Sequence, residues 1–141
     1  MKKLLIIALA ALGAVGCTTS PVSSERATPV PKERMLAFTE PNPDYAKVQI
    51  IRDSGALGSG CYFAVMYRQT ILARFDTSEK GIFYLPEGDW KFAVTRDPDG
   101  NLLCGADDLN PVFETQHIRK NQENLFRISL GAWRRPRLLP M

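Results

Sequence analysis

Residues 88–96 read Gly-Asp-Trp-Lys-Phe-Ala-Val-Thr-Arg, "GDWKFAVTR". Trp90, Phe92 and Val94 alternate with Lys91, Ala93 and Thr95, a period of two that buries one face of a strand. The same alternation recurs outward from this stretch. Cys61, Phe63, Val65 and Tyr67 alternate with Tyr62, Ala64, Met66 and Arg68, and Phe126, Ile128 and Leu130 with Leu125, Arg127 and Ser129. Further strands are expected over 47–52, 70–75, 81–85 and 112–119, with short edge pieces at 34–38 and 137–139. Turn signals separate the runs: "RQT", "DTSEKG", "PEGD", "DPDGN" and "RKNQE". No segment holds a long helical stripe of apolar residues. The pattern predicts an all-β chain, a small antiparallel β-sandwich of immunoglobulin-like type with about seven short strands. Hairpins are expected around Arg68–Thr70 and around Pro86–Asp89.

The N-terminus has a different character. "MKKLLIIALAALGAVGC" carries Lys2 and Lys3, an apolar run from Leu4 to Leu12, and small residues up to Cys17. The run is too short for a membrane span of roughly 20 residues and reads as an export signal, residues 1–16. Losing Lys2 and Lys3 with it takes the formal charge from +3 to +1. With Arg134, Arg135 and Arg137 set aside, residues 17–132 stand at −2. No clustered basic face marks a nucleic-acid partner. Residues 17–33 contain Ser, Thr and three prolines among scattered apolar groups, which predicts a disordered tether reaching on the order of 50 Å at about 3.1 Å per residue. Residues 34–141 then form one domain with a single core.

The ending Ala14-Val15-Gly16-Cys17 resembles the lipobox of bacterial lipoproteins, in which the cysteine sulfur takes a diacylglyceryl group. The stretch "IFYLPEGDWKFAV" resembles the strand, Leu-x-x-Gly, strand hairpin of PEGA-like small β-sandwich domains. The order of lipobox, Pro-rich segment, Val-x-Ile-x-Arg-Asp-x-Gly, Gly-Ser-Gly-Cys and a late Leu-Cys is similar to a group of small uncharacterised proteobacterial lipoproteins. The resemblance implies lipid attachment at Cys17. With Thr18 after it in place of Asp, it also implies outer-membrane delivery facing the periplasm and a partner in the membrane itself. It implies no activity.

With Cys17 assigned to lipid, Cys61 and Cys104 remain as one pair in an oxidising compartment and are expected to be bonded. They lack the paired spacing of zinc sites, as does the single His117. No cofactor is expected. The run 55–60, "GALGSG", is not a dinucleotide loop, because strand-like "CYFAVMYR" follows where a helix should begin. Its glycines suit a sheet corner.

Asp97, Asp99, Asn101 and Asp108 match positions 1, 3, 5 and 12 of a calcium loop, but Leu102 occupies the glycine position. Asp-Pro-Asp-Gly is equally a type I turn. His117 lies in "VFETQHIRK" without a nucleophile elbow and reads as an exposed strand histidine. The acid pairs Asp107/Asp108 and Glu87/Asp89 read as solvated turn residues. Trp133, Arg134, Arg135 and Arg137 form a candidate surface contact for sugars or anionic headgroups, or a last edge strand whose arginines discourage sheet pairing. No catalytic residue is predicted. The expected role is a non-catalytic interaction or structural module with an envelope protein as partner. The alternative is an envelope-carbohydrate-binding or hydrolytic domain using Tyr62, Tyr67 or Trp133.

Overall fold

A computed structural model describes residues 18–100, 104, 111–131 and 135–141. Among these are nine strands in two packed sheets, the expected β-sandwich. The strands are β1 (Thr28–Pro29), β2 (Ala46–Arg52), β3 (Phe63–Tyr67), β4 (Thr70–Phe75), β5 (Glu79–Leu85), β6 (Gly88–Arg96), β7 (Glu114–Ile118), β8 (Asn124–Ser129) and β9 (Arg137–Pro140). One sheet has the order β1-β5-β2-β8-β9 and the other β4-β3-β6-β7. The four-stranded sheet is antiparallel throughout, whereas the five-stranded one is mixed, since β2 runs parallel to β8 and β1 parallel to β5.

The alternating residues meet between the sheets. Phe63, Val65, Phe92, Val94, Phe126 and Ile128 lie in one core with Val48, Ile50, Leu72, Phe75, Phe83 and Ile118. Two like-facing aromatics, Tyr67 and Trp90, extend it edge-to-face at 5.8 Å between ring centroids.

Two expectations are corrected. The turn at Pro86–Asp89 does not close a hairpin: β5 pairs with β2 and β1, and β6 with β3 and β7, so the chain crosses between sheets there. Gly88 has φ +150°, the Trp90 ring lies where a Cβ would be, and the Trp90 indole N–H donates to Pro86 O at 2.8 Å. That indole closes the corner. The expected hairpin at Arg68–Thr70 does form, joining β3 to β4.

Residues 18–33 are not a tether. Val22 and Ala27 are buried with Ile51, and Val30 joins the main core. Thr28 and Pro29 pair with β5, and Lys32–Arg34 make a 3₁₀ turn. Pro29 fits because β1 is an edge strand, where a missing N–H costs no ladder bond. From Met35 the chain lies along β4, with Leu36 N–H donating to Leu72 O at 2.8 Å. The 34–38 edge piece is therefore an isolated bridge, and the domain already begins at Thr18.

Among the described residues no helix is long and apolar enough to cross a membrane. Residues 1–17, over which the export signal and the lipid attachment at Cys17 are expected, lie outside the described residues.

Candidate functional site

At one end of the sandwich β2, β4, β6 and β8 finish while β3 and β5 begin, and the glycine-rich run joins β2 to β3. Arg52 organises this corner. Its side chain is turned inward, donating from Nη1 to Cys61 O (2.6 Å) and Phe75 O (2.7 Å) and from Nη2 to Gly58 O (2.7 Å). The guanidinium also stands 4.1 Å from the Phe63 ring centroid. Burial pushes its pKa down, while Asp76 and Glu79 act in the opposite direction. The loop is thus wrapped around a cation that satisfies its inward carbonyls. Gly58 has φ +72°, and an added Cβ would come within 2.8 Å of the Phe63 ring, so the chain needs glycine there.

The next residue fixes the N-terminal segment. Asp53, with its side chain 1% exposed, accepts two bonds from Arg127, one of them from Nε at 2.9 Å. It also accepts from Thr19 Oγ1 at 2.6 Å. The Asp53 hydrogen bond raises the Arg127 pKa against the effect of burial. Thr19 Oγ1 in turn accepts from Leu130 N–H at 2.9 Å. Neighbouring backbone ties are Thr19 N–H to Leu130 O (2.9 Å), Ser20 N–H to Ser54 O (3.0 Å) and Ser54 N–H to Ser20 O (2.9 Å). Thr18 bridges Gly131.

Beside the corner lies a cleft of about 460 Å³ lined by Ser59, Tyr62, Asp76, Asp97, Asp99 and the Cys61–Cys104 pair. The two cysteines are disulfide-bonded, with Cα atoms 5.3 Å apart. Three carboxylates therefore share one cleft. Two of them face Arg74: its Nε lies 3.0 Å from Asp97 Oδ1, an ion pair without hydrogen-bond alignment, and its Nη2 contacts Asp99 Oδ2. Asp76 Oδ1 accepts from Thr77 N–H. Tyr62, 39% exposed, lies over Arg34, whose guanidinium is 4.4 Å from the ring centroid and forks onto Glu79 at 2.6 and 2.7 Å. Hydrogen bonding to Glu79 raises the Arg34 pKa.

The calcium-loop candidates divide. Asp97 and Asp99 form the expected turn, with Gly100 N–H bonded to Asp97 O at 2.9 Å and Asp99 N–H to Asp97 Oδ1 at 3.0 Å. Asn101 and Asp108, like the pair Asp107/Asp108, lie outside the described residues. Among the described residues no cluster of three His, Cys, Asp or Glu is placed to hold a metal ion.

The C-terminal arginines are not a loose tail. Arg137 begins β9 and contacts Glu114 at 2.7 Å, and Arg135 contacts the same carboxylate at 3.3 Å. Hydrogen bonding to Arg137 first, then Arg135, holds the Glu114 carboxyl below its ordinary range. These residues tie edge strand β9 to β7, as does Gln116 donating to buried Leu138 O at 2.8 Å. Trp133 and Arg134 lie outside the described residues.

His117 is exposed on β7, with Nδ1 2.7 Å from Asp89 Oδ1, and Arg119 contacts the same oxygen at 2.8 Å. Those hydrogen bonds, His117 first, lower the Asp89 pKa. Gly88 pairs with Ile118 at the start of β6, so this group lies toward the opposite end of the sandwich from the disulfide.

Sequence reading missed Arg52, Asp53, Arg127 and Thr19. One signal was present: an Arg-Asp pair closing the apolar strand "VQII". Charges at a buried strand end demand internal partners, although the identity of those partners is not local information.

No protein-family model matches the chain, and neither a curated protein nor a solved structure does.

Proposed function

We propose that the chain is a lipid-anchored lipoprotein of the outer membrane, facing the periplasm, whose β-sandwich is a non-catalytic interaction module. The observation that carries the address is the Cys61–Cys104 disulfide, which belongs to an oxidising compartment outside the cytoplasm. The export-signal pattern and the lipobox-like ending at Cys17 point the same way. The non-catalytic part is supported by the cleft, where Arg74 engages Asp97 and Asp99, two of its three carboxylates.

An envelope protein has a surface to use. Val112 and Phe113, 48% and 36% exposed, precede edge strand β7. Phe113 also lines a groove with Phe38, Tyr67 and Arg68. Exposed apolar side chains beside a strand edge suit protein contact better than solvent.

One observation favours the carbohydrate reading: the Tyr62 ring stands exposed at the mouth of a cleft rich in acceptor oxygens. Photo-crosslinkers at residues 113 and 62 of the full chain, expressed in an envelope-bearing bacterium, separate the two. The module predicts reproducible capture of one envelope protein from 113 and acyl groups on Cys17 by mass. Capture of glycan from 62 with no protein from 113 would contradict it.

A further inference from the structure

We infer that the sandwich is seated directly on the bilayer, with the uncharged loop Ser54–Tyr62 against the lipid headgroups. This rests on the acylation of Cys17 proposed above. The fold holds the chain from the very next residue: Thr18 is bridged to Gly131, and Thr19 and Ser20 are bonded through backbone and side chain to Leu130, Asp53 and Ser54. Consecutive Cα atoms are about 3.8 Å apart, so the acylated residue sits one virtual bond from a fixed point of the body. Beyond the Cys17 side chain and its thioether, no peptide slack separates the acyl chains from Thr18. A diacylglyceryl group places its glycerol at headgroup depth, and whatever surrounds Thr18 must lie at that level.

The surroundings are chemically suited to it. Gly55 packs against Thr19, with an added Cβ at 3.5 Å from Thr19 Cα. From Ser54 to Tyr67 the sequence holds no charged residue. Ala56 is exposed, and Tyr62 presents an aromatic ring with a polar tip, the kind of side chain favoured at an interface. The loop carbonyls of Gly58 and Cys61 point to Arg52 and are already satisfied within the protein. Among the described residues nearby, Asp53 pairs with Arg127 and Arg74 with Asp97 and Asp99, while Asp76 shares their cleft. The β3–β4 hairpin lies at the far end of a five-residue strand, about 17 Å away.

The test uses the full chain, acylated in cells and reconstituted into phosphatidylcholine vesicles brominated near the headgroup. Exposed Ala56→Trp and Gln69→Trp variants are compared with the wild type, whose Trp90 and Trp133 give a common background. An interfacial group lies within roughly 5–10 Å of the acyl boundary, so the added emission of A56W should fall at least by half while that of Q69W is unchanged. Acylated, vesicle-bound protein in which both added tryptophans are equally unquenched would overturn the seated arrangement and leave the anchor standing. Protein whose mass shows no acyl groups on Cys17, and which stays free of vesicles, would remove both.

Discussion

Replacing Arg52 by methionine is expected to destabilise the domain by on the order of 3 kcal/mol, since it leaves the buried Phe75 carbonyl and two loop carbonyls without their donor. Methionine keeps most of the apolar volume against Phe63, so the loss reports the hydrogen bonds rather than a cavity. For a body of this size that corresponds to a fall of about 10–15 °C in melting temperature. Lysine should recover only part of it, because one ammonium cannot span three acceptors that a planar fork reaches. The loop would loosen before the body melts, and the amides of Ser59 and Cys61, bonded to Ala56 O and Gly58 O, would exchange faster. A methionine variant that melts with the wild type would show that the carbonyls of this corner find other partners without cost.

The second large effect belongs to the disulfide. Cys61 and Cys104 are 43 positions apart, and opening that loop in the unfolded chain removes roughly 4 kcal/mol in the chain-entropy description. Domains of this kind hold about 5–15 kcal/mol in total, so the Cys61→Ser, Cys104→Ser double variant should be folded but much less stable. The two variants differ in kind. Arg52 still holds the Cys61 carbonyl when the sulfur bridge is gone, so the native loop should keep its place and the loss should arise mainly in the unfolded state. Denaturant unfolding of the oxidised and double-serine proteins measures it. A difference under about 1 kcal/mol would mean that the unfolded chain is already constrained around this loop.

The strands were legible from the alternation of their core-facing residues, and Trp90, Phe92 and Val94 show it in three consecutive inward positions. The cysteine pairing was legible by composition once Cys17 was set apart. The sheet assignment of consecutive strands was not. Pro86 to Asp89 has the residues of a tight turn whether the strands pair or part, and only the Trp90 ring folded onto Gly88 decides that they part. The N-terminal segment was misread for a related reason. Its apolar residues Val22, Ala27 and Val30 are few and separated by polar ones, which is the composition of a linker. Each nonetheless finds a slot on a sheet built by distant residues, and polar residues before and between them find backbone partners: Ser20 at Ser54, and Thr28 at Ser78. The Asp53–Arg127 pair spans 74 positions, so the charge at the end of "VQII" was legible but its partner was not. Charge balance was a poor guide at the C-terminus, where Arg135 and Arg137 looked free in the sequence and meet one carboxylate on β7.

The docked N-terminal segment bears most on the proposed function, because with the acylation proposed at Cys17 it would replace a long tether by a short, fixed attachment. Amide hydrogen exchange in the native protein tests this most directly, read at Thr19, Ser20, Thr28 and Val30, whose N–H groups donate to Leu130, Ser54, Ser78 and Lys80. Built-in backbone predicts protection of these four amides well above that of an open chain, approaching the protection of the β2 and β5 ladder. Exchange at the rate of an unstructured peptide across residues 18–30, with the sheets still protected, would contradict it.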